Sequence, residues 1–266
     1  MVTATVDLAS DVYGEGAARK LVIMHGLLGA ARNWMAIAKR LGGAFEVHAL
    51  DLRNHGRSPW ADGMHYRTMA ADVARYMEAK GLAGATVIGH SMGGKASMAL
   101  ALDAPEIVGK LLVADIAPVR YGRVGRTSFL DYLDAMAEID ISGIERRSEA
   151  DKLLAPAIED KAVRGFLLQN LTPDEAGGFR WRCNIQGLVN GMADILDFPK
   201  ELDGQTYGGP TLFLTGDQSD YVRREHRDRI RGLFPKARFA ALKDAGHWLH
   251  ADQPRAFMAA VNTFAG

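Results

Sequence analysis

Apolar residues in this chain arrive in short blocks, each closed by glycine or a polar turn. Six such blocks, at residues 20–25, 45–51, 85–90, 110–115, 210–216 and 237–242, have the length and the Val, Ile, Leu and Phe content of buried strands. Residues 32–41 and 66–80 instead place apolar side chains three and four apart, the period of a helix. Strands alternating with helices predict an α/β fold, a mostly parallel central sheet covered on both faces. Residues 2–8 read as an additional edge strand. Between Pro118 and Gly208 the strand signal disappears, and helical patterns at 129–139, 148–158, 160–170 and 183–196 are punctuated by Pro156, Pro173 and Pro199. The expected organisation is a core of residues 1–118 and 208–266 with a helical cap, residues 119–207, inserted in it. Neither repeats nor low-complexity tracts interrupt this pattern.

Composition narrows the class without naming it. A chain of 266 residues can bury one large core. Lysine plus arginine and aspartate plus glutamate balance at 32 each, so neither nucleic acid nor an anionic membrane is expected as a partner. Cys183 is the single cysteine, which excludes an intrachain disulfide and fits a reducing compartment. Residues 1–16 carry acidic side chains and no apolar core of a signal peptide. No block is long enough to span a membrane. A cytoplasmic location and no stable membrane association are therefore expected.

The chemistry concentrates at the ends of the apolar blocks. Gly89-His90-Ser91-Met92-Gly93 lies between a strand block and the helix-prone run that begins at Lys95. A serine at the apex of a strand–turn–helix needs small residues two before and two after it, because side chains there would collide with the neighbouring backbone. That geometry exposes the serine hydroxyl and aims the Met92 N–H at whatever Ser91 attacks. A second oxyanion donor is expected in His25-Gly26-Leu27-Leu28-Gly29, from the N–H of Leu27. The general base is expected in Asp244-Ala245-Gly246-His247-Trp248, on a loop leaving the last strand block. His247 is the candidate there and His250 its rival. His90 should point away from Ser91, His48 should pack in or beside its strand, and His55, His65 and His226 read as loop or surface residues. Two aspartates qualify as the acid that orients the base. Asp115 ends the block at 110–115, and Asp220 lies just past the block at 210–216. Both would emerge at the carboxyl edge of a parallel sheet, where α/β folds place their sites.

Taken together, the segments His25 to Gly29, Asp51 to Pro59, Gly89 to Lys95, Asp115 to Val119 and Gly246 to Trp248 resemble those of α/β-hydrolase-fold serine esterases. The similarity is to the YbfF-type bacterial esterases and their relatives, the abhydrolase-domain-containing 11 group, and covers essentially the whole chain. It implies hydrolysis of short- to medium-chain acyl esters, or of acyl-thioesters, with no cofactor and no metal. It also implies that Asp115 is the acid, whereas the wider superfamily places one in the loop that holds Asp220. Within the Asp51 to Pro59 segment, Arg53 and Ser58 read as braces of a turn at the pocket floor.

Specificity should reside in the insertion. Trp34, Phe129, Trp181 and Trp248, with Met92, are candidates for an apolar acyl pocket, while Arg120, Arg123 and Arg126 read as a solvated basic face. Other occupants of the fold include carbon–carbon bond hydrolases, which keep the serine, and non-enzymatic ligand-binding proteins. Dehalogenases and epoxide hydrolases place an aspartate where this chain has Ser91.

Overall fold

The computed structural model describes residues 4–122, 129–175 and 177–266. Its strands in chain order are β1 (Ser10–Tyr13), β2 (Lys20–Met24), β3 (Glu46–Leu50), β4 (Ala85–His90), β5 (Val108–Ala114), β6 (Leu171–Pro173), β7 (Phe179–Trp181), β8 (Thr211–Gly216) and β9 (Ala237–Leu242). Seven of them form one sheet in the order β1-β3-β2-β4-β5-β8-β9. β1 pairs antiparallel to β3, and the other neighbours run parallel.

Helices α1 (Met35–Leu41), α2 (Tyr66–Ala79) and α3 (Met92–Asp103) precede β5 in the chain or link it to β4. Among the described residues, five more fall between β5 and β8: α4 (Phe129–Glu138), α5 (Arg147–Leu154), α6 (Lys161–Leu167), α7 (Ile185–Asn190) and α8 (Met192–Leu196). α9 (Arg227–Leu233), α10 (Leu249–Asp252) and α11 (Pro254–Ala265) complete the chain.

β2 shows why the sheet needs helices on both faces. Leu21 and Ile23 pack with Trp34, Ile37, Phe257 and Val261, while Val22 and Met24 pack with Met69, Val73 and Ala96. Successive side chains leave a strand on opposite sides, so a strand apolar at every position is covered twice. α2 and α3 cover one face, and α1 with α11 covers the other. The registers Met24↔Gly89 and His90↔Ala114 bring the carboxyl ends of three strands close together. His25, Ser91 and Asp115, each the first residue past its strand, therefore share one sheet edge.

Two expectations fail. Of residues 2–8, those described (4–8) form no strand, and the edge strand is β1 instead. The earlier segment is tied down through side chains: Val6 N donates to Asp72 Oδ1 at 2.8 Å and Ala9 N to Ser58 Oγ at 2.9 Å. The insertion is also not purely helical. β6 and β7 pair as an antiparallel hairpin of three residue pairs, Leu171↔Trp181 to Pro173↔Phe179. Strands this short do not establish a period of two, so their pattern was indistinguishable from loop.

Candidate active site

Ser91 sits between β4 and α3 with φ 52° and ψ −118°, a conformation that costs a non-glycine residue energy and clusters at functional sites. The neighbouring glycines make the turn feasible. A Cβ at Gly93 would lie 2.5 Å from the His25 carbonyl oxygen, and one at Gly89 would strike the Gly93 carbonyl. With no side chain in the way, Gly93 N donates to His25 O at 3.1 Å and docks the start of α3 onto the turn after β2. That contact brings Leu27 and Met92 to the cavity wall beside Ser91.

His247 lies across this turn from the far end of the sheet. Its Nε2 is 3.0 Å from Ser91 Oγ and its Nδ1 is 2.8 Å from Asp115 Oδ2. Asp115 is fully buried and, like Ser91, has positive φ, 55°. Two further donors hold its carboxylate: Ser219 Oγ–H to Oδ2 at 2.5 Å and Gly216 N–H to Oδ1 at 3.4 Å. A buried carboxylate so held stays in place to accept the imidazole N–H, leaving Nε2 as the free acceptor toward Ser91. Asp220 does not reach His247. It is exposed on the cavity rim, and its backbone carbonyl accepts from Arg223 Nε at 3.2 Å.

Two buried imidazoles brace the turn that carries Leu27. His25 Nδ1–H donates to Gly26 O at 2.8 Å while Nε2 accepts from Leu52 N at 3.0 Å. His55 Nδ1–H donates to Arg53 O at 2.8 Å while Nε2 accepts from Leu28 N at 3.1 Å. Each ring is thus a donor on one side and an acceptor on the other, which requires the neutral form. Burial enforces it, lowering His25 and pushing His55 down to about 3. His55 lies in a loop, as expected, but is fully buried there, filling the space between that loop and the turn. Ser58 Oγ–H donates to Asp51 O at 2.5 Å and Arg53 forms a buried ion pair with Asp72 at 2.6 Å, the bracing expected of this segment.

A cavity of about 580 Å³ opens over Ser91 and His247. Among the described residues its wall includes Leu27, Met92 and Ile116 from the core and Phe129, Met192 and Ile195 from between β5 and β8. Phe129 and Trp248 are where the pocket expectation put them. Trp34 instead lines a much smaller cavity beside this one, with Ser91 and His247, and Trp181 is on the wall of neither. Trp34 is 1 % exposed and stacked on His250, ring centroids 4.2 Å apart, within the core beneath α1 and α11. Trp181 ends β7 and packs, half-buried, against the core on the other face.

The remaining candidates separate clearly. His250 is held in the Trp34 stack and burial pushes it down to about 3, whereas His247 contacts the serine. His90 faces away from Ser91, its Nε2–H donating to the His247 carbonyl at 2.8 Å. His48 is buried and bonds Tyr76 Oη at 2.8 Å. Arg120 is exposed and pairs with Asp197 at 3.5 Å; Arg123 and Arg126 lie outside the described residues. The Cys183 thiol is buried and raised to about 12 by desolvation, so it is no nucleophile at neutral pH. Ser219 and Tyr221, which touch Asp115 and His247, were missed by sequence reasoning. Their one signal was a hydroxyl and an aromatic ring in the loop read for its acid.

A serine, an imidazole and a buried carboxylate in this order can generate a nucleophile and shuttle a proton. Among the described residues, no group of three or more His, Cys, Asp or Glu side chains could hold a metal, and no helix is long and apolar enough to cross a membrane.

A family profile described as the alpha/beta hydrolase fold matches residues 20–254. The sn-1-specific diacylglycerol lipase ABHD11 of Danio rerio is 40% identical over 266 residues, covering 97% of this chain and 82% of that protein. Esterase YbfF of Escherichia coli strain K12 is 34% identical over 244 residues, covering 92% of each. Among solved structures, a marine microorganism esterase superposes with a TM-score of 0.93 at 37% identity, covering 98% of this chain and 100% of that one.

Proposed function

This chain belongs to the α/β-hydrolase fold family and is a hydrolase of the esterase type, and on that premise we propose that it cleaves short- to medium-chain acyl esters through an acyl-enzyme on Ser91. The observation that supports this most directly is the unbroken line from Asp115 Oδ2 to His247 Nδ1, at 2.8 Å, and from His247 Nε2 to Ser91 Oγ, at 3.0 Å, on the wall of an apolar cavity.

In the proposed reaction His247 Nε2 takes the Ser91 proton as Oγ attacks the ester carbonyl. The backbone N–H groups of Leu27 and Met92 receive the oxyanion, and Asp115 stabilises the imidazolium. His247 then protonates the departing alcohol. Water then enters and gives a proton to the same nitrogen as its oxygen attacks the acyl carbon; the bond from that carbon to Ser91 Oγ breaks, Nε2 returns the proton to Oγ, and the acid leaves. Thioesters meet the same groups in the same order, so acyl-thioesters are included as substrates. Residues 119–207 act as the cap, supported by Phe129, Tyr132, Met192, Ile195 and Leu196 on the cavity wall. A cytoplasmic site of action fits the lone cysteine, Cys183.

The test is a panel of p-nitrophenyl esters, acyl-coenzyme-A thioesters and a diacylglycerol, run on the wild type and Ser91→Ala. The variant should fold and lose ~10³-fold or more in turnover. A fluorophosphonate should label Ser91 alone; labelling that survives Ser91→Ala overturns the assignment.

A further inference from the structure

α3 carries an amine into the cavity wall that ester cleavage does not use. Lys95 lies one turn past Ser91, is 1 % exposed and lines the cavity. Its Nζ donates to three consecutive carbonyls at the C-terminal end of α8: Asp197 at 2.7 Å, Leu196 at 3.0 Å and Ile195 at 3.4 Å. An ammonium has three N–H donors, so all of them are engaged by one helix end. A cation there also meets the negative pole of the aligned peptide dipoles. The rings of Tyr121 and Tyr66 flank Nζ at 4.9 and 5.5 Å. The same two residues hold the same carbonyls, Tyr66 Oη–H donating to Ile195 O at 2.7 Å and Tyr121 N–H to Leu196 O at 2.8 Å. α8 has five residues, too few to hold its own end by internal hydrogen bonds. Three of those residues, Met192, Ile195 and Leu196, line the cavity.

We propose that Lys95 determines specificity: by holding the end of α8 against α3 it fixes the wall made by Met192, Ile195 and Leu196, and so limits the length of acyl chain presented to Ser91. This rests on the esterase function proposed above. Without the amine, the Asp197 carbonyl loses its donor and those of Ile195 and Leu196 keep only Tyr66 and Tyr121, so the end of α8 moves outward to find water, lengthening the cavity.

The same contacts make the limit depend on pH. Desolvation lowers the Lys95 amine to about 7, against the pull of Asp197. The charged and titratable groups around it are Asp197 and Asp194 on or just past α8, Arg120 paired with Asp197 at 3.5 Å, Tyr66 on α2 and Tyr121 after β5. Burial raises both phenols, which stay neutral, so a change in this cluster near neutral pH is the loss of the Lys95 proton. The neutral amine has two donors and no charge for the helix end, and the wall loosens as pH rises.

The experiment is kcat/KM for p-nitrophenyl acetate, butyrate, octanoate and laurate with wild type, Lys95→Met, Tyr66→Phe and Ser91→Ala, with folding checked by circular dichroism. Methionine keeps the length of the side chain and removes its donors. The octanoate-to-acetate ratio should rise ~10-fold in Lys95→Met and by less, in the same direction, in Tyr66→Phe. In the wild type that ratio should climb between pH 6 and pH 8.5, and in Lys95→Met it should stay flat. A folded Lys95→Met with the wild-type ratio, a loss equal at every chain length, or a wild-type ratio independent of pH each overturns the proposal. Should Lys95→Met fail to fold, the wild-type pH series and Tyr66→Phe decide it. Hydrolysis that is absent in the wild type, or survives Ser91→Ala, overturns the esterase function and this inference with it. Ser91-dependent hydrolysis with an unchanged ratio overturns this inference alone.

Discussion

The ring of Tyr221 lies on the imidazole of His247, centroids 3.9 Å apart and planes 18° from parallel. Tyr221 is itself clamped, because the Tyr121 hydroxyl donates to its carbonyl at 2.6 Å while accepting from Ala117 N at 2.9 Å. Such a stack keeps the imidazole plane fixed between Ser91 and Asp115, and its π face favours the imidazolium of the proposed mechanism. Tyr221→Leu should therefore lower kcat by ~10-fold with little change in KM, and Tyr221→Phe should recover most of that loss. Steady-state kinetics on both variants decide the matter. An equal loss in both would mean that the hydroxyl, not the ring face, matters.

The two aspartates give a second prediction. Removing the carboxylate that orients the base disturbs its tautomer and leaves the imidazolium unstabilised, so Asp115→Asn should cost ~10²–10⁴-fold in turnover. Asp220 is exposed on the cavity rim, and Asp220→Asn should stay within ~0.5 kcal/mol of wild type in stability and about twofold in turnover. A large loss confined to Asp220→Asn would reverse the assignment.

Why does the strand pattern not separate the two acids, so that only the resemblance favours Asp115? Both follow apolar strands, and both strands end at the same sheet edge, so position along the chain carries no preference. What separates them is the direction of one side chain after the strand ends. At Asp115 a positive φ of 55° turns the carboxylate toward His247, and residue type alone does not encode that torsion. The strands themselves were legible because burial on both faces leaves an apolar residue at every position, as at Leu21, Val22, Ile23 and Met24. Aromatic residues were the opposite case. Trp34 and Trp248 are equally apolar, yet one is fully buried in a stack behind the serine and the other lies on the wall of the main cavity, since apolarity says that a ring is buried and not against what. The loop placement of His55 is legible and its burial is not: a polar residue in a loop is exposed by default, unless both ring nitrogens find partners inside.

Those buried imidazoles predict acid lability. His55 and His250 are each lowered from 6.5 to about 3 by desolvation. Below their ordinary value the unfolded chain takes up a proton at each position while the folded chain does not, so stability falls as pH falls. Per group the loss is ~1.4 kcal/mol for each pH unit across the window from about 6.5 down to about 3. The urea midpoint should thus decline steadily from pH 7 to pH 4.5, and His250→Gln should flatten that decline by removing its share. A midpoint constant over this range would show that these rings take up protons in the folded state.

Chain length gives the last prediction. The cavity of about 580 Å³ is roofed by side chains from the segment between β5 and β8, among them Phe129, Tyr132 and Met192. That segment is pinned to the catalytic core as well as laid over it. Asn170 Nδ2 donates to Leu28 O at 2.8 Å, Tyr66 Oη to Ile195 O at 2.7 Å and Asn184 N to Asn54 O at 2.9 Å. Breaking such buried bonds to swing the roof aside costs about 1 kcal/mol or more apiece, with no gain until an interface covers the exposed apolar wall. The roof should therefore stay closed, and each methylene that fits beneath it should add ~0.8 kcal/mol of binding. Catalytic efficiency against p-nitrophenyl esters should climb from acetate, reach an optimum in short to medium chains and then fall. Emulsified triolein should be a poor substrate with no jump in rate above its solubility limit. Efficient triolein hydrolysis with such a jump would mean that the segment opens as a lid, and that the three pins do not hold.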